Sequence, residues 1–271
     1  MAELLTPRSG RVKAARKLGR RSVRADHRLF LAEGVKALTE ALQVPGCTVE
    51  VFATPEASTA YAAVRDAVQR AGVPWHPVSD DAAAALSGTV TPQGLVAVCR
   101  FLDVPLDTVV RGGGRTLVVC ADVRDPGNAG AVLRCADAVG ATGVVLAGHS
   151  VDAYNPKTVR ASAGSLFHLP VAVAEDAEAA VATVRAAGFT VLAADGAGEV
   201  DLFDAAESGL LDGRVAWLFG NEAWGLPDGL ARLADRRVAI PILGRAESLN
   251  LSTAAAVCLY HTAGAGRRPS E

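Results

Sequence analysis

Three segments of this 271-residue chain gather side chains that could bind and turn over a polar ligand. The first is Asp122 to Ala136. Pro126-Gly127 makes a turn there and Asn128 is placed to cap a helix; Arg134 follows nearly two turns along, close to the Asn128 azimuth. The second is Gly220-Asn221-Glu222-Ala223-Trp224-Gly225-Leu226-Pro227, with glycines that let backbone approach a ligand closely and one acid among them. The third runs from Ile240-Pro241-Ile242 to Ser248-Leu249-Asn250-Leu251-Ser252 and into the apolar stretch 253–260. Ser248 and Asn250 set a hydroxyl, an amide and free helix N–H groups at one helix mouth, which suits an anion or the polar edge of a ligand. Taken alone, each is ordinary, and Ser-x-Asn before alanines reads as a simple helix cap. Neither Gly-rich loop has the Gly-x-Gly-x-x-Gly or P-loop spacing, and Gly196-x-Gly198 is too short a signal, which weighs against a nucleotide-dependent dehydrogenase.

These segments need elements to position them. Half the residues are hydrophobic and only 5% aromatic, with Ala, Val, Leu and Gly prominent, as in an α/β protein with buried parallel strands. Strands are expected at 116–121, 143–147, 169–173, 189–194, 215–219 and 237–240, and helices at about 128–139, 156–162, 176–187, 228–234 and 251–263. This alternation predicts a mainly parallel doubly wound sheet over 116–271, with ligands beyond the carboxyl ends of its strands. All three segments follow such strands. Residues 1–106 read as a smaller α/β unit, with helices near 35–42, 59–71 and 80–86 and strands near 49–53, 73–77 and 94–100. Residues 107–115, with three consecutive glycines, read as a flexible linker.

The formal charge of −2 hides an asymmetry. Residues 8–28 hold Arg8, Arg11, Lys13, Arg16, Lys17, Arg20, Arg21, Arg24 and Arg28 against Asp26 alone, so the rest of the chain is acidic. From Lys13 onward the cations recur at steps of three and four, a basic helical stripe suited to a phosphate backbone; a merely soluble arm is the blander reading. The five cysteines form neither a disulfide framework nor a C-x-x-C pair, so buried thiols are expected and no metal. No apolar run reaches ~20 residues and the N-terminus lacks a signal-peptide core, which points to a cytoplasmic protein without membrane contact.

Asn128-x5-Arg134, Leu218-Phe219-Gly220-Asn221-Glu222-x2-Gly225-Leu226, and Ile240-Pro241-Ile242 through Ser248-Leu249-Asn250-Leu251-Ser252 together resemble the three motifs of the SpoU/TrmH family of RNA ribose 2′-O-methyltransferases, within the SPOUT superfamily. The likeness spans about residues 116–263. The first unit, above all Phe30 to Leu42, is more loosely similar to the ribosomal-protein-like RNA-binding domain that many members carry in front. The resemblance implies a SPOUT-type sheet with a C-terminal trefoil knot, a homodimer with shared active sites, and S-adenosylmethionine as methyl donor, leaving as S-adenosylhomocysteine. It places the cofactor on Ala194, Gly220, Ile240 and Leu249, with Asp195 and Ile242 as further contacts.

By the same resemblance Arg134 is the central catalytic residue. A guanidinium keeps its proton to a pKa above ~12, so its expected work is to stabilise the developing alkoxide and orient a phosphate, with proton loss to phosphate oxygen or water. Asn128 would orient Arg134 or cap its helix. Glu222 would hold loop backbone, hold a guanidinium across the dimer, or be a solvated loop acid. Ser248 and Asn250 would contact RNA and fix their loop, or only cap. Arg124 and Arg245 would grip RNA beside the stripe of Arg11, Lys13, Arg16, Lys17, Arg20, Arg21 and Arg24, or be surface charges. His168 reads as a core or interface histidine rather than a base, and Trp224 stacks on a base or lines the dimer seam. The favoured substrate is large-subunit (23S) ribosomal RNA. The alternatives are transfer RNA, methylation of a base nitrogen, and a ribosome-associated RNA-binding protein that has lost catalysis.

Overall fold

A computed structural model describes residues 4–265. The chain forms two compact units: one runs to Leu102 and also takes in Asp152–Phe167, and the other comprises Asp103–Val151 and the residues from His168 onward.

The first unit is built on β1 (Leu29–Glu33), β2 (Thr48–Ala53), β3 (Trp75–Pro77) and β4 (Leu95–Arg100), in the order β1-β4-β2-β3. β4 is antiparallel to both its neighbours and β3 runs parallel to β2. The basic segment is two helices, Gly10–Lys17 and Arg21–His27, rather than one. Val12, Ala15 and Leu18 are buried against Val78, Ala82, Leu86, Val96 and Val98, so the first helix presents its cations outward because its apolar stripe is spent on the core. Arg11, Lys13, Arg16, Lys17, Arg20 and Arg21 are exposed, with Arg11 paired to Glu50 at 2.6 Å.

Arg24 is the exception, and its expected place in the RNA-facing stripe is corrected. Its side chain is 2% exposed. It donates to the carbonyls of Leu18 and Gly19 at 2.8 and 2.9 Å, folding back on the end of the preceding helix, and to Asp152 Oδ2 from Nε at 2.9 Å and Nη2 at 2.6 Å.

Asp152 belongs to a stretch that the strand–helix alternation assigns to the second unit. Residues 152–167, including the helix Pro156–Ala161, pack into the first unit instead. The Tyr154 ring stacks on Phe101 at 3.8 Å and lies 4.8 Å from Phe30; its hydroxyl accepts from the Leu102 N–H at 2.6 Å; Phe167 closes over Phe30 at 6.0 Å. Without this stretch a buried guanidinium and an aromatic cluster would lack their partners.

The second unit carries seven strands: β5 (Thr116–Ala121), β6 (Gly143–Ala147), β7 (Val171–Ala174), β8 (Thr190–Ala194), β9 (Val200–Asp201), β10 (Val215–Phe219) and β11 (Arg236–Ala239). Their order is β7-β6-β5-β10-β8-β11-β9 and every pairing is parallel. The six expected strands are present within two residues of their predicted limits; β9 is additional. Every residue of β5, β6 and β10 is buried, as continuous apolar runs demand when helices cover both faces.

The expected linker is also corrected. Leu106–Val110 is a helix whose Val109 and Val110 lie in the core of this unit, and the Val104 N–H bonds the Val171 carbonyl at 2.9 Å. A Cβ on Gly112 or Gly114 would run into Thr142, so these glycines permit close approach rather than flexibility. The C-terminal helix Leu251–Ala265 packs on the helix Pro126–Ala138. The fully buried Trp217 of β10 donates from Nε1 to Thr262 at 2.8 Å, and Thr262 donates to the Cys258 carbonyl at 3.0 Å, which fixes that helix on the sheet.

Arg24→Ala is expected to destabilise the protein by about 3 kcal/mol, because Asp152, only 13% exposed, loses its ionic partner and the Leu18 and Gly19 carbonyls lose their donor. Arg16→Ala, on the exposed face, should leave stability within about 0.5 kcal/mol of the parent. Thermal or urea unfolding of the three proteins checks both, and equal stability of Arg24→Ala and parent would refute the structural role.

Candidate functional site

β5, β10, β8 and β11 are consecutive neighbours in one parallel sheet, so the loops leaving their carboxyl ends must converge. Those loops contain the three chemically suggestive segments and the Asp195–Gly198 turn.

The first loop is anchored by its acids. Asp122 takes a left-handed backbone conformation (φ 57°) and its Oδ1 accepts the His149 N–H at 2.6 Å. Asp125 caps the helix Pro126–Ala138, accepting the Asn128 N–H at 2.8 Å, with Pro126 in the first turn where no N–H is needed. Asn128 is therefore in the first turn and is not the cap. Its side chain points out and joins the three segments. Nδ2 donates to Glu222 Oε1 at 3.0 Å, and Oδ1 accepts from Asn250 Nδ2 at 3.1 Å. Asn250 Oδ1 in turn accepts the Ser252 N–H at 2.9 Å and its hydroxyl at 2.6 Å, while its carbonyl takes the Ala254 N–H at 2.9 Å. Asn250 thus caps the C-terminal helix and bridges to Asn128 at the same time. Glu222 also accepts the Arg124 N–H through Oε2 at 3.5 Å.

The second loop is a tight turn held by Asn221, which is 6% exposed and has no role among those expected from the sequence. Asn221 and Gly225 exchange backbone hydrogen bonds at 2.9 Å each; the Asn221 side chain accepts the Ala223 N–H at 2.8 Å and donates to the Asp122 carbonyl at 2.7 Å. A Cβ on Gly220 would sit 2.5 Å from the Gly225 carbonyl, so the fold admits only glycine there. The available signal was an Asn directly after the glycine that follows the apolar run 215–219.

Together these loops enclose an open cavity of about 600 Å³. All six positions expected to hold a cofactor line it: Ala194, Asp195, Gly220, Ile240, Ile242 and Leu249. Asn128, Glu222, Ser248 and Asn250 line it as well. Burial tends to raise the Asp195 pKa, but the Ala197 N–H at 2.9 Å and the Arg237 guanidinium at 2.6 and 3.0 Å outweigh it and hold the carboxyl below the ordinary range. Cys120, at the end of β5, is pushed up to about 12 by burial and then by the Glu222 charge, so its thiol stays protonated and inert.

Arg134 does not line this cavity. Six helical steps of 100° leave it about 120° from the Asn128 azimuth, which corrects the expectation that the two share a face. It is exposed, with no hydrogen-bond or ion-pair partner among the described residues. Arg245 is exposed, and Arg124 is exposed with its guanidinium over the Trp224 ring. His168 is neither core nor cavity wall: its ring is 41% exposed and Nδ1 lies 2.9 Å from Asp137.

Residues 115–260 match the SpoU rRNA Methylase family, and residues 10–97 match the MRM3-like substrate binding domain. The chain is 32% identical over 266 residues to a 23S rRNA (guanosine(2553)-2′-O)-methyltransferase of Bacillus subtilis, covering 97% of this chain and all of that one. It is 44% identical over 142 residues to a 23S rRNA (uridine(2479)-2′-O)-methyltransferase of Streptomyces viridochromogenes, across 50% of this chain and 47% of that protein. Among solved structures, an AdoMet-bound rRNA methyltransferase from Sinorhizobium meliloti superposes with a TM-score of 0.84 at 33% identity, covering 96% of this chain and 97% of that one. The S. viridochromogenes SpoU methyltransferase AviRb in complex with AdoMet does so with a TM-score of 0.82 at 30% identity, over 95% and 98%.

Asn128→Asp should set a second carboxylate against Glu222 and cost about 1 kcal/mol at neutral pH, a modest figure because both groups meet solvent. Adding Glu222→Gln should relieve most of the loss. Unfolding midpoints of the single and double variants measure it; a loss that Glu222→Gln does not relieve would count against the direct Asn128–Glu222 contact.

Proposed function

This chain belongs to the SpoU rRNA methylase family, and we propose that it transfers the methyl group of S-adenosylmethionine to a ribose 2′-hydroxyl in structured RNA, with 23S ribosomal RNA as substrate. The observation that carries the reading is the hydrogen-bonded chain Glu222–Asn128–Asn250, which draws all three family motifs into the wall of one cavity. The cavity suits the cofactor. Its volume falls within the range of about 300–1,000 Å³ usual for small-molecule sites, Gly220 exposes bare backbone, and Ile240, Ile242 and Leu249 offer apolar flanks for a purine.

When bound, S-adenosylmethionine supplies a methyl group on a sulfonium, open to in-line displacement. The protein's part is positioning and charge stabilisation. Asn128 and Glu222 hold the loops at fixed separation, and Ser248 and Asn250 present polar groups at the rim for RNA. Arg134 stabilises the oxygen as it loses its proton and orients the adjoining phosphate, while the proton leaves to phosphate oxygen or water; an arginine does not itself act as base at neutral pH.

The catalytic species in this reading is a homodimer in which a second copy delivers its Arg134 to the cavity. Support comes from the exposure of Arg134 away from its own cavity, and from the apolar C-terminal helix with Tyr260 58% exposed. The trefoil knot belongs to the same proposal: the last strand, β11, lies between β8 and β9 rather than at the sheet edge, and the chain then turns back toward the β5 and β10 loops. The exposed cations of the first unit, Lys13, Arg16, Lys17, Arg20 and Arg21, are the sequence-independent grip on RNA phosphates. No helix among the described residues is long and apolar enough to cross a membrane. The cytoplasm is the compartment proposed, in keeping with a ribosomal RNA substrate.

Mapping 2′-O-methyl sites in total RNA from cells with and without the gene tests the assignment: one ribose methyl in 23S rRNA should disappear, and an unchanged map would leave a non-catalytic RNA-binding protein. Arg134→Lys should lower kcat by about 10²-fold or more with S-adenosylmethionine affinity unchanged, because an ammonium does not reproduce the planar fork. Near-normal turnover would refute the role of Arg134. Mixing Arg134→Ala with Gly220→Val, each inactive alone, should restore activity if the site is shared between copies, and no recovery would place Arg134 and the cavity in one chain.

A further inference from the structure

Trp224 stands out among the exposed apolar side chains because everything around it is fixed. The turn that carries it is closed by the reciprocal Asn221–Gly225 backbone bonds and tied through Asn221 to the Asp122 carbonyl, so the indole projects from backbone with little freedom. The ring is nevertheless 54% exposed. The Arg124 guanidinium lies over it, 4.9 Å from its centroid. Glu222 accepts the Arg124 N–H and lies two residues before Trp224, so one carboxylate helps set the spacing of cation and ring. Glu222 and Gly225, on either side of Trp224, both line the cofactor cavity.

We infer that Trp224 is a stacking platform for an unstacked nucleobase of the RNA, held beside the ribose to be methylated. The inference rests on the methyltransferase reading and adds a residue that touches substrate. Methylation requires the 2′-hydroxyl to enter a cavity in a loop rim, which a base still stacked in a helix opposes; an aromatic face next to the cavity compensates the lost stacking. Arg124 holds the ring from one side and brings positive charge to the phosphates flanking the base. The surroundings suit RNA better than a seam between copies: Arg124, whose guanidinium lies over the indole, and Glu222, which accepts the Arg124 N–H, are both exposed, whereas the centre of a protein interface is depleted in charge.

The test uses full-length protein with in vitro transcribed 23S rRNA. Trp224→Ala should raise the KM for RNA about 5- to 160-fold, the alanine-scan cost of one base–aromatic stack, with S-adenosylmethionine affinity and oligomeric state unchanged. Trp224→Phe should keep most of the activity, and Arg124→Ala should add little on top of Trp224→Ala, since cation and ring act as one surface. Independently of turnover, a single-stranded oligonucleotide should quench indole fluorescence in the parent, and the quench should be lost in Trp224→Phe. Unchanged RNA KM and quenching in the variants overturn the inference, and so does a change in oligomeric state alone, which assigns the ring to a seam. If the parent methylates no RNA, the methyltransferase reading fails, while the fluorescence titration still decides stacking.

Discussion

The site depends on one side-chain amide. Asn128 must give a hydrogen bond to a carboxylate on one side and take one from an amide on the other. A carboxylate in its place could only accept, and a lysine could only donate. Glu222 and Asn250 arrive on loops from different strands, and no backbone ladder joins those loops. The bridge is possible because Asp125, rather than Asn128, satisfies the free N–H groups of the helix start, leaving the Asn128 side chain available. The sheet order supplies the rest: β5, β10, β8 and β11 are neighbours, so the three loops are close before any side chain acts.

This arrangement divides labour among residues that look alike in sequence. Glu222 and Asn128 are consumed by each other and by loop backbone, which suits them to positioning and not to proton transfer. Asp195 is held ionised by Arg237 and the Ala197 N–H, so it too is a poor candidate for a base. In the proposed reaction, charge stabilisation falls to Arg134, which has no hydrogen-bond or ion-pair partner among the described residues and does not line its own cavity. That is the arrangement the proposed second copy would complete.

The sheet was legible because its strands are buried on both faces and therefore appear as unbroken apolar runs between Gly- and Pro-rich turns. The cavity lining was legible through the resemblance, since Ala194, Gly220, Ile240 and Leu249, the positions it marks for a cofactor, line one cavity. Arg134 was misplaced by simple helical geometry: six steps do not close a second turn. The errors in the first unit have a different cause. Arg24 fits the cationic spacing as well as Arg20 or Arg21 does, and its ionic partner in the core, Asp152, comes 128 positions later. Residues 107–115 look flexible by composition because glycine permits close packing as readily as mobility, and the space against Thr142 selects the first.

That long-range pair bears on how the two units can be regarded. A buried guanidinium–carboxylate pair adds little net stability over well-packed apolar residues, yet breaking one partner is costly, so its effect is mainly to select one arrangement of the chain. Here it selects the arrangement in which residues 152–167 leave the methylase portion, complete the aromatic cluster of Phe30 and Phe101, and return. The boundary is therefore crossed three times by the chain, between 102 and 103, 151 and 152, and 167 and 168. A substrate-binding module joined by one linker could be exchanged freely; one whose core includes Tyr154 and Phe167 cannot be cut from the sequence at a single point. The match to the substrate-binding family ends at residue 97, and the physical unit does not.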